Sequence, residues 1–187
     1  MAGCQFIAKI EHTEKTIESL YRVQYHTYEK PRMLIWMGIA LALIFVAAFS
    51  AFPSWAKAII LLIGAWLIVS PDFPALVRAD RALEARKADL PKMEYEFHKA
   101  QMKISGEGSM SIAYKKIERL TEDKYYLYII MSKDSICMVD KNTVRPNDIS
   151  ELKKFLADKT ELDWLNDKSF LMMNLADVIL MIRNRKK

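Results

Sequence analysis

The sequence predicts a membrane α+β protein, a two-helix transmembrane hairpin followed by a small antiparallel β-rich cytoplasmic domain with a C-terminal helix. Three observations carry that expectation. Between Met33 and Ala56 stand 24 consecutive residues without a charge, and after the lone Lys57 the chain is uncharged again from Ala58 to Pro71. Lys and Arg crowd the two outer flanks of this block, while its middle holds only Lys57. Beyond residue 92 the apolar pattern changes from a helical period to strict alternation.

A length of 187 residues suits one small domain plus a membrane element. The net charge of +5 is local: Arg183, Arg185, Lys186 and Lys187 carry +4 of it, so the body of the chain is near neutral. A neutral body with a basic tail suits an anionic membrane surface, and no basic patch interleaved with aromatics argues for nucleic acid. Cys4 and Cys137 lie outside metal-ligand spacing and are expected to be reduced thiols in the cytoplasm. The apolar block begins after 32 residues holding nine charged side chains, too late and too long for a cleaved secretory signal.

The elements follow in chain order. Residues 1–32 read as a cytoplasmic strand and helix. Phe6–Ile10 is the strand, and Thr13 caps a helix from Glu14 that places Ile17, Leu20, Tyr21 and Tyr28 on one face. The hairpin occupies residues 33–77. Its first helix runs from Met33 to Phe52, with Pro31 before it and Pro53 after it. The apolar run Leu34–Phe52 rises roughly 29 Å at about 1.5 Å per residue, the thickness of a bilayer's hydrocarbon core. Residues 53–57 read as the turn, with Trp55 at headgroup level. The second helix, 56–77, has a clean apolar part of only 13 residues, Ala58–Ser70, and needs the residues after Asp72 to reach full length. Asp72 then lies near the interface, and a re-entrant segment is the alternative.

Lys30 and Arg32 precede the hairpin, and Arg78, Arg81, Arg86 and Lys87 follow it, so both termini are expected on the cytoplasmic side of the cell membrane. No ionisable residue falls at the midplane of either helix, which favours an anchor over a transport path. Residues 78–92 read as a helical stalk ended by Pro91.

Residues 93–159 read as a β-domain of four or five antiparallel strands capped by one helix. Met93, Tyr95 and Phe97 alternate with charged or polar neighbours, Ser105–Ser109 is a turn by composition, and Met110–Ala113 pairs back. Tyr125–Met131 is a β-prone run, Lys133-Asp134 a turn, and Ile136–Val139 its hairpin partner. Pro146 and Asn147-Asp148 introduce a helix with Ile149, Leu152, Phe155 and Leu156 on one face. Residues 160–187 form an apolar helix with a basic tail. Phe170–Ile182 is too short to cross a bilayer and either lies on the inner interface or packs on protein.

The runs Ile112–Ile117, Glu122–Tyr128, Ser135–Lys141 and Ile149–Leu156 resemble the C-terminal domain of the YcxB-like family of small bacterial membrane proteins. The resemblance covers roughly residues 4–159 and is sharpest over 93–157. Val139-Asp140-Lys141 departs from the isoleucine- or leucine-proline-lysine usual at that strand end. The resemblance implies two transmembrane helices and a small barrel or curved sheet with a C-terminal helix, similar to bacterial pleckstrin-homology-like domains. The family has no established activity, so no functional residue is carried over.

The residues offer no catalytic, cofactor or metal site. His12, His26 and His98 lack partners at ligand spacing. Gly106-Glu107-Gly108 lacks the Lys-Ser/Thr of a phosphate loop, and Glu122-Asp123 point apart in a strand or to water in a turn. Lys115-Lys116 and Lys153-Lys154 read as solvated faces. The candidates for the membrane surface are Arg78, Arg81, Arg183, Arg185, Lys186 and Lys187. The expected function is a non-enzymatic, membrane-anchored interaction or regulatory module whose partners are membrane lipid and a protein. The alternative is a subunit of a small oligomeric transporter or channel with the β-domain as gate.

Overall fold

A computed structural model describes residues 4–70, 72–86, 90–106, 108–146 and 148–166. The chain divides into two units: residues 11–91, which are helical, and residues 1–10 with 92–187, which hold the sheets. The helical unit is thus an insertion, in sequence, between the first strand and the rest of the β unit.

In the helical unit α1 (Glu14–Tyr28) starts as the sequence predicts. The Thr13 hydroxyl accepts from Thr16 N–H, and the Thr16 hydroxyl accepts from Thr13 N–H at 2.7 Å, a reciprocal cap. α2 (Lys30–Phe49) and α3 (Ser54–Val69) pack along each other. Gly64 allows the approach, because a Cβ there would stand 2.9 Å from Ile44 Cγ1 and 3.2 Å from the Ala40 carbonyl oxygen. Two boundaries differ from expectation. Residues 50–53, rather than 53–57, form the connection, which puts Trp55 and Lys57 on the first turn of α3. The helix read as continuous over 56–77 is two helices, since α3 stops at Val69 and α4 (Phe73–Arg86) restarts at a bend of 65°. A proline at position 71 disfavours helical backbone at Ser70 and removes an amide donor.

In the β unit, β1 (Phe6–Glu11), β2 (Lys92–Phe97), β3 (Gln101–Ser105) and β4 (Ser109–Ala113) form one sheet in that order. The pairing of Ser105 with Ser109 closes the hairpin of β3 and β4. β5 (Arg119–Glu122), β6 (Tyr126–Ser132), β7 (Ser135–Asp140) and β8 (Trp164–Asn166) form the second sheet, ordered β7-β6-β5-β8, with β8 parallel to β5. α5 (Ile149–Thr160) follows β7, and the Asp148 carboxylate accepts from Glu151 N–H to cap it. Counting β2 and β7 themselves, the described residues from one to the other form six strands, more than the four or five expected. The added short strand, β5, carries a single large apolar residue, Leu120, and so shows no alternation.

The strand assigned by sequence to a separate N-terminal region, β1, lies at the edge of the first sheet. It is also held by Ile7 N–H to Arg145 carbonyl at 2.8 Å and the return bond at 2.7 Å. Its alternating burial, with Phe6, Ala8 and Ile10 inward, needs such a neighbour. The core of this unit is apolar and closed. Tyr95, Phe97, Met102, Leu120, Leu127, Ile129, Ile130, Met138, Leu152 and Leu156 are fully buried.

Candidate membrane-surface site

α2 and α3 carry their large apolar side chains outward. Leu34, Ile35, Phe45 and Phe49 on α2 and Trp55, Leu62, Trp66 and Val69 on α3 are exposed, and in the most apolar stretch of α2 only 17% of residues are buried. Among the described residues α2 is the one helix long and apolar enough to cross a membrane by itself, and α3 with α4 meets that measure jointly across the bend.

Charge is concentrated at one end of these helices, where α1, α2 and α4 meet. Glu29 joins α1 to α2: its N–H donates to the Tyr25 carbonyl at 2.8 Å, closing α1. Its carboxylate, 8% exposed, accepts from Arg78 Nη2 at 2.9 Å and Arg32 Nη1 at 2.8 Å. One buried acid therefore bridges the start of α2 to α4. The hydrogen bonds that Arg78 donates to Glu29 raise its pKa further and keep it charged.

A second tie lies beside it. His26 Nε2 and Asp72 Oδ1 are hydrogen-bonded at 2.6 Å, linking α1 to the break between α3 and α4. That bond, assisted by the charges of His26 and Arg22, holds Asp72 below the usual carboxylate range against the opposing effect of burial. Arg22 Nε stands 4.0 Å from Asp72 and is buried without a hydrogen-bond partner, as is the Tyr25 hydroxyl. Burial, followed by the charge of Glu29, pushes the Tyr25 phenol up. Tyr25 packs with Met33 and Ala75, with Tyr21 and Met37 against them, so a small apolar patch seals the charged junction.

The β unit has its own clamp. Glu122 on β5 accepts from Lys141 Nζ at 2.8 Å and from Lys153 Nζ on α5. Burial raises the pKa of Glu122, and the two lysines outweigh it, leaving the carboxyl below its ordinary range. Lys153 also lies over the Trp164 ring, whose Nε1 donates to the Lys153 carbonyl at 3.0 Å. The expectation of a solvated Lys153 is corrected by this pair, whereas Lys115 and Lys116 are exposed. Glu122 and Asp123 diverge into two protein-bound roles rather than facing water: Asp123 accepts from Tyr125 and Tyr126 N–H at 2.7 Å and from the Tyr128 hydroxyl at 2.6 Å.

Of the surface candidates, Arg78 is committed to Glu29 and Arg81 is exposed on α4. Arg183, Arg185, Lys186 and Lys187, with the apolar segment 170–182, lie outside the described residues. The histidines do not stand alone: besides His26, His12 Nδ1 is 3.3 Å from the Thr16 hydroxyl and His98 Nε2 is 3.1 Å from Glu96. Among the described residues, no group of three or more His, Cys, Asp or Glu is placed to hold a metal. Sequence reasoning missed Glu29 and the His26–Asp72 tie. The spacing of Glu29 to Arg32, three residues at a helix start, was a local signal for the first.

These features define a class: an α+β chain in which a helical unit with an outward apolar surface is inserted into a two-sheet unit. Within it, residues 97–156 match the family model described as YcxB-like protein, bearing out the resemblance read from the sequence. The matched segment runs from the end of β2 into α5 and so lies wholly in the β unit. Neither a curated protein nor a solved structure matches the chain.

Proposed function

We propose that the chain is an integral protein of the bacterial cytoplasmic membrane, in which α2 and α3 span the bilayer and hold the β unit at the inner leaflet. Both termini are then cytoplasmic, and residues 50–53 lie on the outer side. The module is non-enzymatic and acts by presenting the β unit to a protein partner or to lipid. The observation that carries this reading is the outward apolar shell of α2 and α3, which water would penalise by about 25 cal/mol for each Å² exposed. The charges at Lys30, Arg32, Arg78 and Arg81 against the lone Lys57 support the orientation.

The two sheets and the helix after β7 support a pleckstrin-homology-like arrangement of the β unit. Its first strand would then lie on the N-terminal side of the membrane insertion. Arg81 and the basic tail Arg183, Arg185, Lys186 and Lys187 are the proposed headgroup contacts. The test is alkaline carbonate extraction of native membranes together with labelling of single cysteines placed at residues 2 and 52. Resistance to extraction, with position 52 labelled from outside and position 2 only after permeabilisation, is the expected result. Release by carbonate would overturn the spanning reading, and the opposite labelling would overturn the orientation.

A further inference from the structure

Among the described residues, three of the four sheet edges offer little to a further strand. β1 exchanges backbone hydrogen bonds with Arg145, the middle of β7 (Cys137, Met138 and Val139) is buried, and β8 is only three residues long. β4 (Ser109–Ala113) is the fourth edge, and of its five residues only Ile112 is buried. Edge strands are ordinarily blunted by a charge, a proline or a bulge. Ser-Met-Ser-Ile-Ala has no charge and no proline, and its pairing with β3 runs without a break. Met110 pairs with Ile104, and Ile112, on the same face, pairs with Met102. Ile104, Ile112 and Met102 are buried, yet Met110 is 58% exposed. The apolar row on the core face of the sheet therefore ends uncovered at this edge.

We propose that β4 pairs antiparallel with β4 of a second copy of this chain, with Ser111 on the two-fold axis, so that the first sheet continues from one copy into the other. Antiparallel pairing about a two-fold axis keeps each row of side chains on its own face. In this register every residue of the strand is matched. Ser109 stands opposite Ala113 of the second copy, and Met110 stands opposite its Ile112, which covers the open end of the apolar row. No like charges oppose each other within the strand. In the sequence Glu107 precedes β4 by two positions and Lys115 follows it by two, so each end of the pair brings unlike signs together. A strand pair of this length is a small contact for proteins that meet in solution. Confinement of both copies to one membrane raises their effective concentration, and in that respect the inference rests on the spanning reading above.

The test is mild oxidation of the full chain in phosphatidylcholine vesicles at high lipid dilution, with Cys4→Ser removing the exposed thiol and the buried Cys137 left in place. Opposed residues of an antiparallel pair have Cα atoms about 4.5–5.5 Å apart, inside the span of a disulfide, so Ser111→Cys is expected to link two copies. Ser109→Cys and Ala113→Cys each lie four residues out of register with themselves, about 13 Å, and should link only when the two variants are mixed. Ser111→Lys, at an exposed position, sets two ammonium groups face to face and should abolish energy transfer between labelled copies while leaving Tm unchanged. Equal linkage at 109, 111 and 113, no linkage at 111, or energy transfer that survives Ser111→Lys overturns the inference. So does linkage of the Ser111→Cys variant to a different protein, instead of to itself, in native membranes. In each of these cases a carbonate-resistant protein leaves the spanning reading standing. Release of the protein by carbonate overturns that reading and, with it, the membrane-confined pair.

Discussion

The two units use the same kinds of side chain in opposite ways. In the β unit Leu, Ile, Phe and Met point inward, and the charged groups form the outer clamp of Glu122 with Lys141 and Lys153. In the helical unit the large apolar residues point outward along α2 and α3, and the most buried acid, Glu29, lies at the inner junction. A soluble unit gains stability by removing apolar area from water, and that gain is missing from α2 and α3 unless something apolar surrounds them. The contrast teaches that the β unit carries its apolar stabilisation in its own core, whereas α2 and α3 leave theirs to whatever covers them.

The sharpest way to break this comparison is to truncate one leucine in each unit. Leu127 on β6 is 0% exposed and Leu62 on α3 is 71% exposed. Leu127→Ala should cost about 2–5 kcal/mol, through lost burial and the cavity left behind. Leu62→Ala should cost well under 1 kcal/mol in vesicles, while Leu62→Lys should cost about 2.5–3.5 kcal/mol because the charge enters hydrocarbon. Urea unfolding of the full chain in vesicles measures the first two, and the carbonate-resistant fraction measures the third. Tolerance of Leu62→Lys would mean that this face meets water.

A smaller effect tests whether α2 and α3 hold each other. Gly64→Ala forces a Cβ to within 2.9 Å of Ile44 Cγ1 and 3.2 Å of a backbone oxygen, which should cost about 1–3 kcal/mol of overpacking. Gly38→Ala, where a Cβ meets nothing within 4 Å, should be neutral or stabilising by up to about 1 kcal/mol through helix propensity. Thermal unfolding followed by circular dichroism separates the two. Equal effects would show that the close approach at Gly64 does not matter.

What could be read from the sequence was local. Thr13 and Glu14 specify a helix start within four residues, Met93-Tyr95-Phe97 a strand by alternation, and Lys133-Asp134 a turn between two β-prone runs, and each was found where expected. What could not be read was pairing at a distance. β1 ends at Glu11 and its neighbour in the sheet, β2, begins at Lys92, with the whole helical unit between them in sequence. β8 is three residues long and pairs in parallel, which leaves no periodic trace. The junction escaped for the same reason: Glu29 meets Arg78, and His26 meets Asp72, only because α1 and α4 pack together. Asp72 is legible in the sequence as a lone charge near the end of the apolar block, but not as the partner of a histidine.

The two one-acid, two-cation clamps give a matched pair for the next prediction. Glu29→Gln leaves Arg78 and Arg32 without their counter-charge, and Glu122→Gln does the same to Lys141 and Lys153. Breaking a fully buried pair costs about 3–5 kcal/mol. Arg32 is 66% exposed and Arg78 35% exposed, so water takes up part of the loss, and about 1–2 kcal/mol is expected for Glu29→Gln. Urea unfolding of both variants should give costs within a factor of two of each other. A neutral Glu29→Gln would show that the junction is held by the Tyr25, Met33 and Ala75 packing alone.

The smallest effect is one of pH, and it separates the units by window. Burial, followed by the charge of Arg86, pushes the His12 imidazole below its ordinary value. As pH falls the unfolded chain therefore takes up this proton first. The contribution of His12 to stability is complete above about 6.5 and is lost between there and the lower folded value. Asp72 and Glu122 are depressed carboxyls, so their contributions persist above the ordinary carboxylate range and disappear only as pH falls through their folded values. The imidazole lies against the start of α1, with Nδ1 3.3 Å from the Thr16 hydroxyl, so the loss should appear there. Between pH 7.5 and 5.5 the wild-type Tm should fall relative to that of His12→Gln, while the acid limb below the ordinary carboxylate range is shared by both. If the variant keeps the wild-type slope, the neutral-range dependence belongs to another histidine and His12 is bystander to it.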